Sequence, residues 1–163
     1  MQRPSRRHPH RFQDCDYERL WQPVYFTVAI DKRRPVLTRH GRAEIVIAAI
    51  RDAEQRHSCA TIAYCVMPDH IHVLACVTQE GANVREFFEH AESLSGHRLA
   101  RTGIPVPVWQ RSYFDRHLRR RDSIEEVVAY ILDNPVVGEL CASRDAWPWM
   151  AFLGYPWEMR EMD

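Results

Sequence analysis

Cys59-Ala60-Thr61-Ile62-Ala63-Tyr64-Cys65-Val66-Met67-Pro68-Asp69-His70-Ile71-His72-Val73-Leu74-Ala75-Cys76-Val77-Thr78 reads as two apolar strands, 59–66 and 70–78, joined by a Pro-containing turn. Each run is too short for a core helix and rich in β-formers, so the pair is expected to be an antiparallel hairpin. In a strand, residues two apart point to the same face. His70 and His72 therefore project side by side while Ile71 and Val73 go to the opposite face. One strand thus feeds both a core and a potential site.

Outward from the hairpin, Trp21 to Ile30 (WQPVYFTVAI) is a first strand and the 41–57 segment an amphipathic helix. Asn83 is placed to cap a second helix reaching about Leu99, with Val84, Phe87, Phe88 and Leu94 as its buried residues. The GIPVP stretch at 103–107 breaks it, and Val108 to Asp115 reads as a fourth strand, followed by a basic connector at 116–122. Ser123-Ile124-Glu125-Glu126 is a capping box opening a third helix, which the Asn134-Pro135 step is expected to stop. The tail with Trp147, Trp149 and Trp157 is expected to pack over one edge. The order β-α-β-β-α-β-α predicts an α+β, ferredoxin-like βαββαβ antiparallel sheet with helices on one face. A C-terminal helix bearing Tyr130 and an aromatic tail follow. The other sheet face is expected to be open for a site. Residues 1–16 form a basic arm rich in Arg, His and Pro, and 17–163 a single domain.

The net charge of zero conceals a strong asymmetry. Residues 1–121 hold 20 basic and 13 acidic side chains, whereas 122–163 hold 2 and 9. The first three quarters are thus suited to a polyanion. The basic set is 21 Arg and one Lys, Lys32, and Arg suits bidentate phosphate contacts and stacking on bases. Five Cys without a C-x-x-C fit a reducing cytoplasm rather than a zinc ribbon or disulfide framework, and no run reaches membrane-span length.

A His pair on one strand face is a bidentate metal platform, but two imidazoles leave a divalent ion short of donors. Asn134, Glu126, Glu92 and Asp115 are the candidates for a third ligand. On the third helix Ile124, Val127, Val128, Ile131 and Leu132 follow helical spacing and define a buried stripe. Tyr130 flanks that stripe with Asn134 one turn along on the same face. That placement suits a Tyr with its hydroxyl in water as well as an exposed reactive phenol. Arg111, Arg116, Arg119, Arg120 and Arg121 precede this helix and could hold phosphates, and Arg6 and Arg7 of the arm could follow a nucleic-acid groove. Tyr25, Tyr64 and Tyr113 are candidates for stacking on unpaired bases.

Three blocks resemble one family. Tyr64-Cys65-Val66-Met67-Pro68-Asp69-His70-Ile71-His72-Val73-Leu74 resembles the His-hydrophobic-His (HUH) motif of the single-tyrosine transposases. Trp109 to Arg116 (WQRSYFDR) with Leu118-Arg119 resembles their next block. Tyr130-Ile131-Leu132-Asp133-Asn134-Pro135-Val136 resembles their tyrosine-helix signature. Val24-Tyr25-Phe26-Thr27-Val28 and Arg33-Arg34-Pro35 are similar to the branch called REP-associated tyrosine transposases, which act on repetitive extragenic palindromes. The resemblance covers about residues 20–150. Asp69 departs from it, standing where Asn is usual.

The resemblance implies that His70, His72 and Asn134 bind Mg²⁺ or Mn²⁺ and that Tyr130 is the nucleophile of a single-stranded DNA endonuclease and strand transferase. The implied partner is single-stranded DNA with hairpin structure, with no membrane; a monomer and a homodimer both fit. The chemistry suits the residue types. A divalent ion polarises a phosphodiester oxygen, and attack by a phenol leaves a 5′-phosphotyrosine that conserves the bond for rejoining. A phenol is a weak acid, so it must be deprotonated in place by metal or base. Two other readings compete: a domesticated, non-cutting DNA- or RNA-binding module, and a metal-dependent hydrolase of small phosphoesters.

Overall fold

A computed structural model describes residues 16–119 and 122–158. The elements run β1 (Val24–Ala29), α1 (Arg42–His57), β2 (Cys59–Val66), β3 (His70–Val77), α2 (Val84–Ala100), β4 (Phe114–His117), α3 (Ile124–Val137) and β5 (Met150–Phe152). The five strands are ordered β4-β1-β3-β2-β5, and every adjacent pair is antiparallel. The first four in that order are the α+β, ferredoxin-like arrangement expected from the sequence; β5 extends it at one edge. Among the described residues no helix is long and apolar enough to cross a membrane.

Strand alternation divides the interior into two layers. Val24, Phe26 and Val28 of β1 and Ile71, Val73, Ala75 and Val77 of β3 face α1 and α2, where they meet Val46, Ile50, Phe87, Phe88 and Leu99. Phe26 stacks on Phe88 with ring centroids 4.4 Å apart and fastens α2 to the middle of the sheet. Tyr25, Leu74 and Cys76 point the other way, toward Val128 and Ile131 of α3. In β2 the register skips between Thr61 and Ala63, a bulge at which Ile62 and Ala63 both join the α3 layer.

The second sheet face is therefore not open, as the sequence reading had it. α3 lies across it, and Trp147, Met150, Tyr155 and Trp157 pack beside α3 on the same layer. The acidic 122–158 segment roofs that face over β2, and among the described residues the part near β1 and β4 remains uncovered.

The local boundaries follow from identifiable side chains. The Asn83 side chain accepts from the N–H groups of Arg85 and Glu86, and Ser123 Oγ accepts from Glu126, so both capping residues act as expected. The hydroxyl of Ser123 then donates to Glu125 rather than leaving Glu126 to close the box. Pro135 does not end α3. It sits buried in the last turn, where the missing N–H costs one hydrogen bond, and the helix stops at Gly138, whose N–H bonds Asn134 O.

The fourth strand is shorter and later than expected, 114–117 rather than 108–115. Val108 and Trp109 dock instead on α2: a Cβ at Gly96 would stand 3.1 Å from Trp109 Cδ1, and Trp109 Nε1 donates to Ser95 Oγ. Trp109 touches the sheet only through a bridge to Ile30. The tail, read as packing alone, supplies β5. Val66 N–H bonds Trp149 O, and Trp147 Nε1 donates to Val66 O.

Ile131 is fully buried and holds α3 on the sheet. Ile131→Ala is expected to lose about 2–5 kcal/mol of unfolding free energy, and Ser123→Ala about 1 kcal/mol through the lost cap. Urea unfolding followed by circular dichroism, with Val137→Ala on the exposed side of α3 as the neutral comparison, measures both.

Candidate metal and nucleophile centre

The cleft between α3 and the uncovered part of the sheet has a volume of about 330 Å³ and is lined by Tyr25, Thr27, Arg33, His70, His72, Phe114, Tyr130 and Asn134. The register sets this arrangement. Thr27 of β1 stands between His72 of β3 and Phe114 of β4 in one cross-strand row. Tyr130 and Asn134, one helical turn apart on α3, close the cleft from above. Tyr130 is 58% exposed although it belongs to a helix whose neighbouring Ile131 is fully buried.

The two imidazoles meet edge to face, with ring planes at 89° and Nε2 atoms 3.0 Å apart. Each Nδ1 has a partner on the far side of its ring. His70 Nδ1 lies 2.6 Å from Asp69 Oδ1, so its N–H donates to the carboxylate. His72 Nδ1 lies 2.6 Å from the Tyr25 hydroxyl and 3.1 Å from Thr27 Oγ1. With the ring protons on Nδ1, both Nε2 lone pairs face one point, and two lone pairs that close require a proton or a cation between them. Two donors about 2.1 Å from one ion and at right angles to each other would be about 3.0 Å apart. The pair therefore fits a divalent ion. Asp69, the departure from the usual Asn, places a carboxylate behind His70, which orients the ring.

Burial, reinforced by neighbouring His70, pushes the His72 imidazole down to about 3. It is neutral throughout the physiological range, the form in which imidazole ligates. Burial pushes the Tyr25 phenol well up, so its hydroxyl keeps its proton; it is hydrogen-bonded to His72, and the Tyr25 and Tyr130 rings pack edge to face with centroids 6.3 Å apart.

Of the four candidates for a third donor, Asn134 alone is at the pair. Its Nδ2 donates to Tyr130 O at 2.7 Å, which leaves the amide oxygen available to the cleft that Asn134 lines together with both histidines. Glu92 is on α2, beyond the opposite face of the sheet, in a separate cleft with Glu89, His97 and Trp109. Asp115 accepts from the Tyr17 hydroxyl on that same opposite face. Glu126 is exposed in the first turn of α3. Among the described residues no three His, Cys, Asp or Glu side chains converge, so of the four candidates the Asn134 amide oxygen is the further donor in the cleft.

The proposed phosphate-holding arginines separate in space. Arg116 is exposed on β4 on the cleft side, directly opposite Tyr25, while Arg111 and Arg119 are exposed in the chain flanking β4. Arg6, Arg7, Arg120 and Arg121 lie outside the described residues, as does the arm to residue 15. Arg33 was not anticipated at the site; it lines the cleft and pairs with Asp69 at 3.4 Å. The three expected stacking tyrosines are not available. Tyr25 and Tyr64 are buried, and Tyr113 packs on Phe88 and donates to Glu89 beyond the other face. Tyr113 is thus also remote from the His pair. Thr27 and Phe114 were missed because their face is decided by a register that no local pattern encodes.

The model of the family described as "Transposase IS200 like" matches residues 24–134, from the first residue of β1 to Asn134. The chain belongs to the IS200-like transposase family. Among solved structures, a REP-associated tyrosine transposase bound to a REP hairpin is similar to this transposase chain with a TM-score of 0.71 at 21% identity, covering 85% of this chain and 81% of that one. A candidate transposase from Deinococcus radiodurans R1 is similar with a TM-score of 0.53 at 20% identity, over 72% of this chain and 94% of that one. A search of curated protein sequences finds no match. At these identities the structural likeness speaks for the fold, while family membership rests on the matched sequence block.

The placement of Glu92 away from the cleft of the His pair gives it a stability effect of its own. Burial, then the nearby Glu89 carboxylate, raises it to about 7 from an ordinary value of 4.5. The folded chain holds a proton there that the unfolded chain has lost, so this contribution is complete below about pH 4.5 and disappears as pH rises through 7. Glu92→Gln is expected to leave stability unchanged at pH 4.5 and to raise it by about 1–3 kcal/mol at pH 8.5. Thermal melts of both chains across that range measure the difference.

Proposed function

We propose that this transposase is a metal-dependent endonuclease and strand transferase of single-stranded DNA at hairpin-forming elements, with Tyr130 as nucleophile and His70, His72 and Asn134 as metal ligands. The observation that carries the reading is the Nε2–Nε2 separation of 3.0 Å with Tyr130 and Asn134 closing the same cleft. The hairpin class of substrate is supported by the hairpin-bound structure of the similar transposase and by the basic first three quarters of the chain.

A bound Mg²⁺ or Mn²⁺ supplies Lewis-acid polarisation of a non-bridging phosphate oxygen and stabilises charge on the leaving 3′ oxygen. The chain's own groups do the rest. Asp69 and the Tyr25–Thr27 hydroxyl pair hold the two imidazoles by their Nδ1 atoms. Tyr25 packs edge to face against the Tyr130 ring and limits the directions its phenol can take. Tyr130 Oη attacks phosphorus, the bond from phosphorus to the 3′ oxygen breaks, and the phenolic proton ends on that oxygen. Attack by a 3′-hydroxyl on the phosphotyrosine reverses the step and rejoins DNA. Arg33, pointing into the cleft beside Asp69, is placed to meet phosphate. The cleft opens over an exposed tyrosine rather than enclosing a small ester, which suits a polymer substrate better than a free phosphomonoester.

Tyr130→Phe is expected to keep the fold and DNA affinity and to form no covalent adduct with a labelled hairpin oligonucleotide in Mn²⁺, on a denaturing gel. His70→Ala should bind Mn²⁺ about 10–100-fold more weakly by titration calorimetry and form adduct slowly rather than not at all. Retained binding with no adduct from the unmodified chain would instead favour the non-cutting module. An adduct that survives Tyr130→Phe and vanishes in Tyr113→Phe would transfer the role to Tyr113.

Binding should also weaken steeply with salt. Arg116→Ala is expected to lower the slope of log affinity against log salt by about 1, without changing preference among flank sequences. Fluorescence anisotropy at several salt concentrations reads that slope.

A further inference from the structure

Two large apolar side chains among the described residues are both exposed and part of the cleft: Tyr130, and Phe114 at 51% exposure. The exposure of Tyr130 has an account in the chemistry proposed above. That of Phe114 has none in packing. It sits on β4, the edge strand, in the cross-strand row that runs through Thr27 to His72. Its ring and that of Tyr25 pack T-shaped, centroids 6.2 Å apart at 67°, and half of the Phe114 surface stays exposed to solvent beside the cleft. Arg116 follows two residues on and is exposed on the same side, while Asp115 and His117 point back toward Tyr17. An exposed π-face followed at strand spacing by a guanidinium matches what unpaired nucleic acid needs: a stacking surface for a base and a cation for its backbone. The cleft also carries Arg33, so cations stand at two points of this track.

We propose that Phe114 is the stacking platform for an unpaired nucleobase next to the phosphate under attack, with Arg116 holding the adjoining backbone phosphate. This rests on the reading of the cleft as a site for single-stranded DNA. The platform extends that site along β4 and assigns it a base-binding residue. Stacking on a phenyl ring is tolerant of base identity, so the platform positions the strand rather than reading its sequence. It takes the place of the three tyrosines that the fold buries or diverts.

The test uses the full chain and a stable GC hairpin with oligothymidine flanks, in which each flank nucleotide in turn is replaced by an abasic residue. The unmodified chain should lose about tenfold in affinity when one particular base is removed. Phe114→Ala should bind the intact oligonucleotide about tenfold more weakly and be indifferent to that abasic position. Phe114→Trp should restore both responses. Phe114→Leu, which still covers Tyr25 but has no π-face, should behave as Phe114→Ala. Thermal melts of all variants should superimpose, because the side chain is half exposed. A Phe114→Ala chain that keeps the abasic penalty, or a Phe114→Leu chain that matches the unmodified one, overturns the platform. Adduct formation in Mn²⁺ is scored on the same samples. Adduct with no abasic response overturns the platform alone. An abasic response that depends on Phe114 without any adduct upholds the platform and overturns the nicking reading. Absence of hairpin binding by the unmodified chain overturns both.

Discussion

The register of β1 against β3, with Thr27 opposite His72 and Tyr25 opposite Leu74, is the constraint on which both the core and the cleft depend. Side chains alternate with period two, so β3 sends Ile71, Val73, Ala75 and Val77 into the α1–α2 layer and His70 and His72 into the cleft. A slip of one residue would exchange those faces. It would bury the two imidazoles among Phe87, Phe88 and Leu99 and expose four apolar side chains. The hydrophobic free energy that holds the strand in register therefore also holds the His pair on the cleft face, and the hydrogen bonds at Nδ1 then set the ring orientations.

The same register brings hydroxyls to the back of His72. A buried imidazole is costly unless its polar atoms find partners. Tyr25 and Thr27 meet Nδ1, while His70 stands on the Nε2 side. Asp69, at the end of the turn, does for His70 what the hydroxyls do for His72. The difference between the supports follows from burial. A carboxylate is tolerable at the rim, where Arg33 and solvent share its charge, and would be costly beneath Tyr25. Neutral hydroxyls deep in the cleft and a charged partner at its edge give two rings of similar aim.

α3 serves as both roof and bearer of Tyr130. Its buried side, centred on Val128, Ile131 and Pro135, is anchored over β2 and the bulge at Ile62. Tyr130 and Asn134 then overhang β1 and β3. The acidic 122–158 segment covers the part of the sheet away from β4, and Arg111, Arg116 and Arg119 lie exposed on and beside β4. Charge separation along the sequence thus becomes a separation in space, with the uncovered, cation-bearing edge beside the His pair.

Much of this was legible in the sequence because it is local. Two short apolar runs joined by a Pro-containing turn in 59–78 mark a hairpin, and strand spacing puts two histidines on one face; Asn83 and Ser123 mark helix starts through their own capping chemistry; the spacing of Tyr130 and Asn134 puts them on one side of a helix. The resemblance of three blocks pointed to the family that the matched segment 24–134 now establishes. What lay beyond the sequence was every feature decided by contact between distant segments. Trp109 leaves the sheet because Gly96 admits it on α2, so β4 begins at Phe114. Pro135 stays helical because its ring is buried. The sheet face expected to be open is roofed by α3, and Glu92 and Asp115 fall on the wrong side of the sheet to serve as ligands. Tyr25 becomes a support for His72 instead of a stacking surface, and Phe114 takes the exposed place. Periodicity states which residues share a face of one element, but only packing states which faces meet.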